Sequence, residues 1–230
     1  MVNFKKLRQM MEVKGNGKIA SHEISVSTFV RLHLGCNGII ELHQSDEEKV
    51  IFEVDENLLE YCAATNAGRT LYVSTREKIK QPAYTSCVVK IFLRQLNVLY
   101  VRNDQGNVIC PNEISLAEPL EIKIQSVGNT ELNISSPIIK LSNQCQGNVV
   151  MKGKCNTIEI KNQSEGNFIA KELMADELTI KNMAQGNVEL FANKTITISH
   201  YGQGYIHFFG SAIIKDVKQY GDGLIQHKEI

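Results

Sequence analysis

Residues 146–168, QGNVVMKGKCNTIEIKNQSEGNF, contain one complete unit of a repeat that decides the fold. The unit opens with Gln146-Gly147-Asn148, and the next unit opens 19 residues later with Glu165-Gly166-Asn167. The corner glycines are Gly106, Gly128, Gly147, Gly166, Gly186, Gly204 and Gly223, spaced by 22, 19, 19, 20, 18 and 19 residues. A period of this length is typical of solenoid proteins built from stacked coils.

Apolar residues hold fixed places relative to each corner glycine. Eight residues before it come Val98, Leu120, Ile139, Ile158, Leu178 and Ile196, and six residues before it come Tyr100, Ile122, Leu141, Ile160, Ile180, Ile198 and Val217. Residues two apart lie on one side of a strand, so these columns predict an inward-facing strand in every coil. Two residues after the glycine, a second inward strand is predicted by Val108, Thr130, Val149, Phe168, Val188, Ile206 and Ile225.

A coil with two short strands has too few residues for a crossover helix. Strands of successive coils must therefore pair in parallel. The sequence predicts an all-β fold, a parallel β-helix of about 19-residue coils, with seven coils over residues 98–230 and their glycines aligned at one corner. We expect the glycine and the asparagine after it to adopt positive φ at this corner.

Asparagines form two further columns at the same corner. One column comes four residues before the glycine and contains Asn143, Asn162 and Asn182, and the other follows the glycine and contains Asn129, Asn148, Asn167 and Asn187. Carboxamides one coil apart can bond along the axis as a ladder. We therefore expect these side chains to hold the turns together.

The first hundred residues contain an early copy of the coil around the corner Gly35-Cys36-Asn37-Gly38. Val50–Val54, Leu71–Val73 and Cys87–Leu93 are expected to be strands, and Asp55–Tyr61 a short helix. We therefore divide the chain into a β-rich N-terminal section, residues 1–95, which starts and covers the stack, and β-helix repeats at residues 96–230.

Composition limits the classes of function. The 25 basic and 25 acidic residues cancel, and Lys and Arg are not clustered, which argues against a nucleic-acid partner. No apolar run is long enough for a membrane span, and the start, Met1–Val13, lacks the apolar stretch of a secretory signal. The six cysteines have no zinc-binding spacing, so we expect reduced and mostly buried thiols.

Acidic residues give little support for catalysis. Parallel β-helices include polysaccharide lyases and hydrolases, which need converging carboxylates. Glu165 and Asp222 share the column before the glycine but lie three coils apart, and the adjacent Asp176 and Glu177 would point to opposite faces. We expect no catalytic residue, metal site or cofactor, and a polysaccharide-active enzyme is the less favoured alternative.

The late histidines His200, His207 and His227 are expected at the surface or in turns, because no ligand spacing connects them. The aromatic residues around them are expected to pack in a changed core or to form a contact patch.

The residues on either side of the corner glycines predict a polar stripe along the solenoid. Its members are Gln146, Asn148, Glu165, Asn167, Gln185 and Asn187. Such a stripe could hydrogen-bond a sugar chain, and it is our candidate ligand-binding surface. A solvated turn edge is the alternative, since turns are polar for backbone reasons alone.

Several segments, in this order, resemble the bacterial head GIN domain family, a domain of unknown function often labelled putative auto-transporter adhesin. They are Val13-Lys14-Gly15-Asn16-Gly17, Phe29, Asp55-Glu56-Asn57-Leu58-Leu59, Gly68-Arg69-Thr70-Leu71 and the repeated Gly-Asn corners. The resemblance implies a right-handed parallel β-helix with a role at the cell envelope or surface. No export signal is visible, so a cytoplasmic location is expected if this chain is the complete gene product.

Two functions therefore stay open. The first is a non-catalytic binding or adhesion domain that contacts glycans or other envelope components. The second is a self-associating scaffold like the bactofilin filaments, which the repeat also resembles. The last corner, Gly221-Asp222-Gly223, is followed by too few residues to form a covering helix. Since an uncovered edge invites pairing, we expect a homo-oligomer through the C-terminal edge.

Overall fold

The computed structural model describes residues 12–75, 81–103 and 106–229. Residues 1–11 of the Met1–Val13 segment, and Gln105 beside the first corner glycine, lie outside these ranges. The fold is 3% helical and 62% strand, which confirms the all-β prediction. Within the described ranges, no helix is long and apolar enough to cross a membrane.

The described residues form strands, most of them short, and one 3₁₀ helix at Glu56–Tyr61. The strands of the first half are β1 (Glu12–Lys14), β2 (Ile19–Ser25), β3 (Arg31–Gly35), β4 (Gly38–Gln44), β5 (Lys49–Asp55), β6 (Ala63–Ala67), β7 (Thr70–Ser74), β8 (Gln81–Ala83), β9 (Cys87–Leu93), β10 (Val98–Val101) and β11 (Gly106–Ile109). Those of the second half are β12 (Ile114–Ser115), β13 (Leu120–Ile124), β14 (Thr130–Ser135), β15 (Ile138–Asn143), β16 (Val149–Asn162), β17 (Phe168–Asn182), β18 (Val188–His200), β19 (Ile206–Phe209), β20 (Ile213–Gln219) and β21 (Ile225–His227).

Two walls of parallel strands run along the stack. Wall 1 has the order β7, β3, β10, β13, β15, the second halves of β16, β17 and β18, and β20. Wall 2 has the order β9, β4, β11, β14, the first halves of β16, β17 and β18, then β19 and β21. The parallel β-helix is thereby confirmed. The solenoid has about 6 turns. From β10 in wall 1 and from β11 in wall 2, each wall contains seven strands, one for each predicted coil.

The coils at the N-terminal end are not stacked in chain order. β3 and β4 lie between the pair β7 and β9 on one side and the pair β10 and β11 on the other. The chain therefore forms the inner coil, β3 and β4, first. It then forms the outer coil, β7 and β9, and crosses back to continue the stack with β10 and β11. As a result, Leu32 and Ile40 have neighbours in the coils on both sides and are fully buried.

Antiparallel strands close this end of the stack. β6 pairs with β7 beyond wall 1, while β5 pairs with β9 and β2 pairs with β5 beyond wall 2. The carboxamide of Asn66 joins the two edges, accepting from the backbone N of Ser27 at 2.9 Å and donating to its O at 3.0 Å. Leu58 and Tyr61 of the 3₁₀ helix are buried beneath them. The division of the chain at residues 95 and 96 stays a prediction.

The inward columns are confirmed except in the first and last coils. Leu99 and Val101, rather than Val98 and Tyr100, align with Ile122 and Ile124. The reason is one additional residue before the glycine: Val101 lies five residues from Gly106, whereas Ile124 lies four residues from Gly128. In the last coil, Val217 aligns with the buried Ile198 but is 40% exposed.

The corner glycines do stack, but for a different reason than positive φ. A Cβ on Gly166 would collide with the carbonyl oxygen of Gly147, and a Cβ on Gly147 would collide with that of Gly128. Among the corner glycines only Gly106 has a positive φ, and no described non-glycine residue has one. The expectation of positive φ was therefore wrong. Glycine is needed because the backbones of successive coils approach each other too closely for a side chain.

Candidate functional site

The inner asparagine column forms a buried ladder. Asn143 Nδ2 donates to Asn162 Oδ1 at 2.9 Å, and Asn162 Nδ2 donates to Asn182 Oδ1 at 2.9 Å. All three side chains are fully buried. A buried carboxamide without partners would be strongly destabilising, so each coil depends on its neighbour. The prediction that these side chains hold the turns together is confirmed.

His200 occupies the next place in this ladder. It comes four residues before Gly204, as the asparagines come before their glycines, and it is fully buried. Because Asn182 Oδ1 already accepts from Asn162, Asn182 Nδ2 faces His200 Nδ1 at 3.1 Å. Nδ1 must accept that bond, so the proton lies on Nε2, which is buried. Burial lowers the pKa of His200 below its usual 6.5.

The expected surface or turn position of His200 was therefore wrong, since the column assignment of that histidine was missed. His207 stacks on Tyr205 with ring centroids 4.1 Å apart, and His227 stacks on Phe208 at 4.7 Å. His227 Nε2 also donates to the backbone O of Gly210 at 2.8 Å. The three rings are thus engaged in separate local contacts.

The outer asparagines bond to the backbone instead of to each other. The Oδ1 atom of Asn129 accepts from the backbone N of Asn148 at 2.9 Å, and Asn148 Oδ1 accepts from Asn167 N at 2.9 Å. Asn167 Oδ1 accepts from Asn187 N at 2.9 Å in the same way. These bonds fix the side chains while the carboxamide nitrogens have no partner within the described part of the chain. The side chains of the stripe asparagines are therefore held in place, and the Nδ2 group of each can still donate to a ligand.

The six residues of the polar stripe lie together on one corner of successive coils. Gln146, Glu165 and Gln185 are exposed, directly before the stacked glycines. Within the described ranges these three side chains have no hydrogen-bond or ion-pair partner. Asn148 is exposed, and Asn167 and Asn187 are partly exposed. The stripe thus presents free carboxamides and one carboxylate beside anchored asparagines.

A second polar column beside the stripe was missed from the sequence. Gln125 Nε2 donates to Gln144 Oε1 at 2.8 Å, and Gln144 Nε2 donates to Gln163 Oε1 at 2.9 Å. Tyr100 OH donates to Gln125 Oε1 at 2.6 Å and ends the column on that side. All three glutamines come three residues before a corner glycine, so the glycine alignment alone could have revealed them.

Two tyrosines continue the glutamine column toward the C-terminal end. The rings of Tyr201 and Tyr220 stack with centroids 4.8 Å apart and planes 11° apart. Lys181 Nζ lies 5.5 Å from the centroid of the Tyr201 ring. Tyr201 is 44% exposed and Tyr220 is 66% exposed, which makes them an aromatic patch at the surface. Of the aromatic residues near the late histidines, Tyr201 and Tyr220 are thus exposed enough to form a contact patch.

The acidic residues considered for catalysis have other contacts or stand apart. Asp176 Oδ2 forms an ion pair with Lys194 Nζ at 2.8 Å, and Glu177 is exposed. No group of three or more His, Cys, Asp or Glu side chains among the described residues could hold a metal ion.

All six cysteines are thiols rather than disulfides, and five of them are buried, whereas Cys62 is only partly buried. Burial raises the pKa of Cys87 and of Cys110 to about 12 and that of Cys145 to about 11. Thiols with such values are protonated at neutral pH and therefore poor nucleophiles. The expectation of mostly buried thiols is confirmed.

The sequence pattern of the head GIN domain, described as a putative auto-transporter adhesin, matches residues 28–212. The chain belongs to the head GIN domain family. The family resemblance, which was based on several segments and their order along the chain, is thereby confirmed, and the chain is an adhesin-like domain. A search of curated proteins finds no match.

Solved structures of similar fold include three that align with almost the whole of this chain. A putative adhesin from Bacteroides fragilis is 21% identical, with a TM-score of 0.88, and the match covers 94% of this chain and all of that one. A putative adhesin from Parabacteroides distasonis is 20% identical over 95% of this chain and 100% of its own, with a TM-score of 0.73. A putative lipid binding protein from Parabacteroides distasonis is 18% identical over 94% of this chain and 99% of its own, with a TM-score of 0.71. At these identities the likeness concerns the fold.

Proposed function

We propose that this head GIN domain is a non-catalytic binding domain that holds an extended glycan of the cell envelope along its polar stripe. The observation that carries the proposal is the set of exposed side chains at Gln146, Glu165 and Gln185 on consecutive coils, which have no partner among the described residues. A carboxamide both donates and accepts, and a carboxylate accepts. Sugar hydroxyls can satisfy each of these groups, whichever way the hydroxyl points.

The spacing of the stripe suits a chain-like ligand. Coils follow one another at about 4.8 Å, so the same groups recur along a straight line. A polymer lying parallel to the solenoid axis would meet one set of groups per coil. Affinity would therefore accumulate along the chain, and longer oligomers should bind more tightly than short ones.

Rigidity is the second argument for a binding surface. The carboxamide oxygens of Asn148 and Asn167 are held at 2.9 Å by backbone N–H groups of the next coil. Donors that are already fixed lose little conformational entropy when a ligand arrives. At the end of the adjacent glutamine column, the exposed Tyr220 ring offers a flat apolar face on which a sugar ring can pack.

The names of structural neighbours support a binding role and leave its ligand open. Two neighbours are described as putative adhesins and one as a putative lipid binding protein. In this chain the interior is filled by side chains such as Phe168, Leu190 and Ile198, each fully buried. Because an acyl chain would compete with that packing, the outer polar stripe favours a glycan.

The proposal can be tested with a glycan array and with matched variants. The stripe variant carries Gln146→Ala, Glu165→Ala and Gln185→Ala. The control carries Glu131→Ala, Asn156→Ala and Gln226→Ala, which also removes one carboxylate and two carboxamides at exposed positions outside the stripe. We expect the stripe variant to lose at least about tenfold in affinity for the glycans that the unchanged domain binds, with the control unaffected.

Equal binding by both variants would move the site away from the stripe, and no binding to any envelope glycan would overturn the proposed ligand class. Thermal unfolding of both variants should match that of the unchanged domain, because all six positions are exposed. That measurement separates a lost contact from a lost fold.

A further inference from the structure

None of the described residues covers the apolar end of the last coil. Ile213 is 73% exposed, Tyr220 66%, Leu224 60%, Ile214 51% and Val217 40%. By register, Ile214 and Val217 follow the buried Ile196 and Ile198 of the preceding coil. They are therefore the continuation of the core to the end of the stack. An exposed cluster of large apolar side chains is typical of an interaction surface.

The backbone of this coil is also available for pairing. Within the described residues, β20 pairs with β18 alone and β21 pairs with β19 alone. The opposite edges of β20 and β21 thus carry free N–H and C=O groups. Such an edge readily accepts another strand.

The two ends of the solenoid are different. At the N-terminal end, β2, β5 and β6 extend the walls in antiparallel fashion, Leu58 and Tyr61 of the 3₁₀ helix are buried, and the Asn66 carboxamide bonds to Ser27. Head-to-tail stacking would have to place the open C-terminal end on this closed end. The matching open surface is instead the C-terminal end of a second copy, and such a contact closes with two-fold symmetry.

Charges on β20 favour one register for that contact. Around a two-fold axis at Val217, antiparallel β20 strands would set Asp216 opposite Lys218 of the second copy, twice. Moving the axis to Asp216 would oppose two aspartates, and an axis midway between these residues would oppose Lys215 and Lys218. Like charges directly opposite each other are destabilising, so the register centred on Val217 is the favourable one.

We propose that the chain forms a tail-to-tail dimer in which β20 pairs with β20 of a second copy, with Val217 near the two-fold axis. This pairing would cover Ile214 and Val217 and would bring two Asp216–Lys218 ion pairs to the outer face. The proposal does not involve the six residues of the polar stripe, and the pairing would place Tyr220 opposite Ile214 of the second copy.

Sedimentation velocity over a range of protein concentrations tests the dimer, and a charge reversal tests its register. Asp216→Lys would set lysines opposite each other and should weaken the dimer about tenfold or more. The double variant Asp216→Lys, Lys218→Asp should restore most of the affinity. Glu121→Lys is the matched control: Asp216 and Lys218 form an ion pair of 3.2 Å within β20, and Glu121 and Lys123 form one of 2.8 Å within β13, in the middle of wall 1.

Weakening by Asp216→Lys, recovery in the double variant and no effect of Glu121→Lys would support the proposal. A monomer at every concentration would overturn it. Long filaments would overturn it in favour of the scaffold alternative. A dimer indifferent to Asp216→Lys would place the contact elsewhere. Thermal unfolding of each variant identifies any loss of association that follows from misfolding.

Discussion

Asp55 Oδ1 accepts a hydrogen bond of 2.7 Å from the backbone N of Gly17, which ties the entry of the chain to the end of β5. Asp55 Oδ2 accepts from the backbone N of Thr85 at 2.7 Å. Burial raises the pKa of Asp55, but hydrogen bonds from Thr85, Gly17 and Ser86 outweigh it and hold the pKa below its usual 3.8. A single buried carboxylate thus joins three segments at the closed end.

We expect Asp55→Asn to destabilise the protein by about 2 kcal/mol, because it removes the charge and one of the two acceptor oxygens from a buried site. Urea unfolding at pH 7 measures the loss. Glu56→Gln is the control, since the neighbouring Glu56 is exposed and should change stability by less than about 0.5 kcal/mol. Because the pKa of Asp55 is lower in the folded state, the advantage over Asp55→Asn should persist at neutral pH and shrink as the pH falls below about 3.8. An advantage that is unchanged at pH 3 would contradict this assignment.

Gly166→Ala should destabilise the protein by about 3 kcal/mol, because its Cβ would collide with the carbonyl oxygen of Gly147. Gly68→Ala is the comparison: Gly68 has a φ of 57° but open space around a Cβ. There we expect only about 1 kcal/mol from backbone strain. Chemical denaturation of the two variants decides between close approach and positive φ as the reason for the corner glycines. A larger loss of stability in Gly68→Ala than in Gly166→Ala would contradict close approach as the reason for the corner glycines.

The repeat was predictable from sequence because each coil solves the same packing problem. Apolar residues equivalent to Ile158 and Ile160 recur at fixed distances before the corner glycines. Such a period can be recognised from the sequence without knowing how the strands pair. The glutamine column at Gln125 and Gln144 carried the same signal and could have been found from the same alignment. His200 was harder to assign, because a residue of different chemistry stands in an asparagine column.

The order of coils at the N-terminal end could not be predicted. Placing β3 between β7 and β10 depends on pairings between strands far apart in sequence. No local pattern distinguishes an inner coil from an outer one. The reason for the corner glycines was likewise hidden, since close approach of two backbones is a tertiary property, whereas tolerance of positive φ is a property of the residue alone.

Ile160→Asp tests the inward assignment of wall 1. Ile160 is 2% exposed between Leu141 and Ile180, so a carboxylate there would be buried without a partner. We expect a loss of about 4 kcal/mol or failure to fold cooperatively. Ser142→Asp, on the outward side of the same wall between Lys123 and Lys161, should be tolerated. Indistinguishable thermal unfolding of the two variants would contradict the inward assignment.

Acidification should loosen the last coils through His200. Its Nδ1 accepts from Asn182 Nδ2 at 3.1 Å and from the backbone N of Gly202 at 3.4 Å. A proton on Nδ1 would face both donors and break the ladder at this point. Since burial lowers the pKa of His200 in the folded state, the unfolded chain binds the proton more readily. The contribution of His200 to stability is therefore complete above its usual pKa of 6.5 and is lost as the pH falls from there through the folded-state value.

His200→Asn should remove this pH dependence, because asparagine can continue the ladder that Asn182 begins. We expect the difference in unfolding free energy between the unchanged protein and His200→Asn to vary with pH below about 6.5, by at most about 1.4 kcal/mol per pH unit, since one group exchanges at most one proton. His22→Asn, at an exposed position of β2, is the control. Urea unfolding from pH 7.5 to pH 5 gives the three curves. If His200→Asn and His22→Asn follow the same pH dependence as the unchanged protein, the histidine at the end of the ladder is not the group that senses acid.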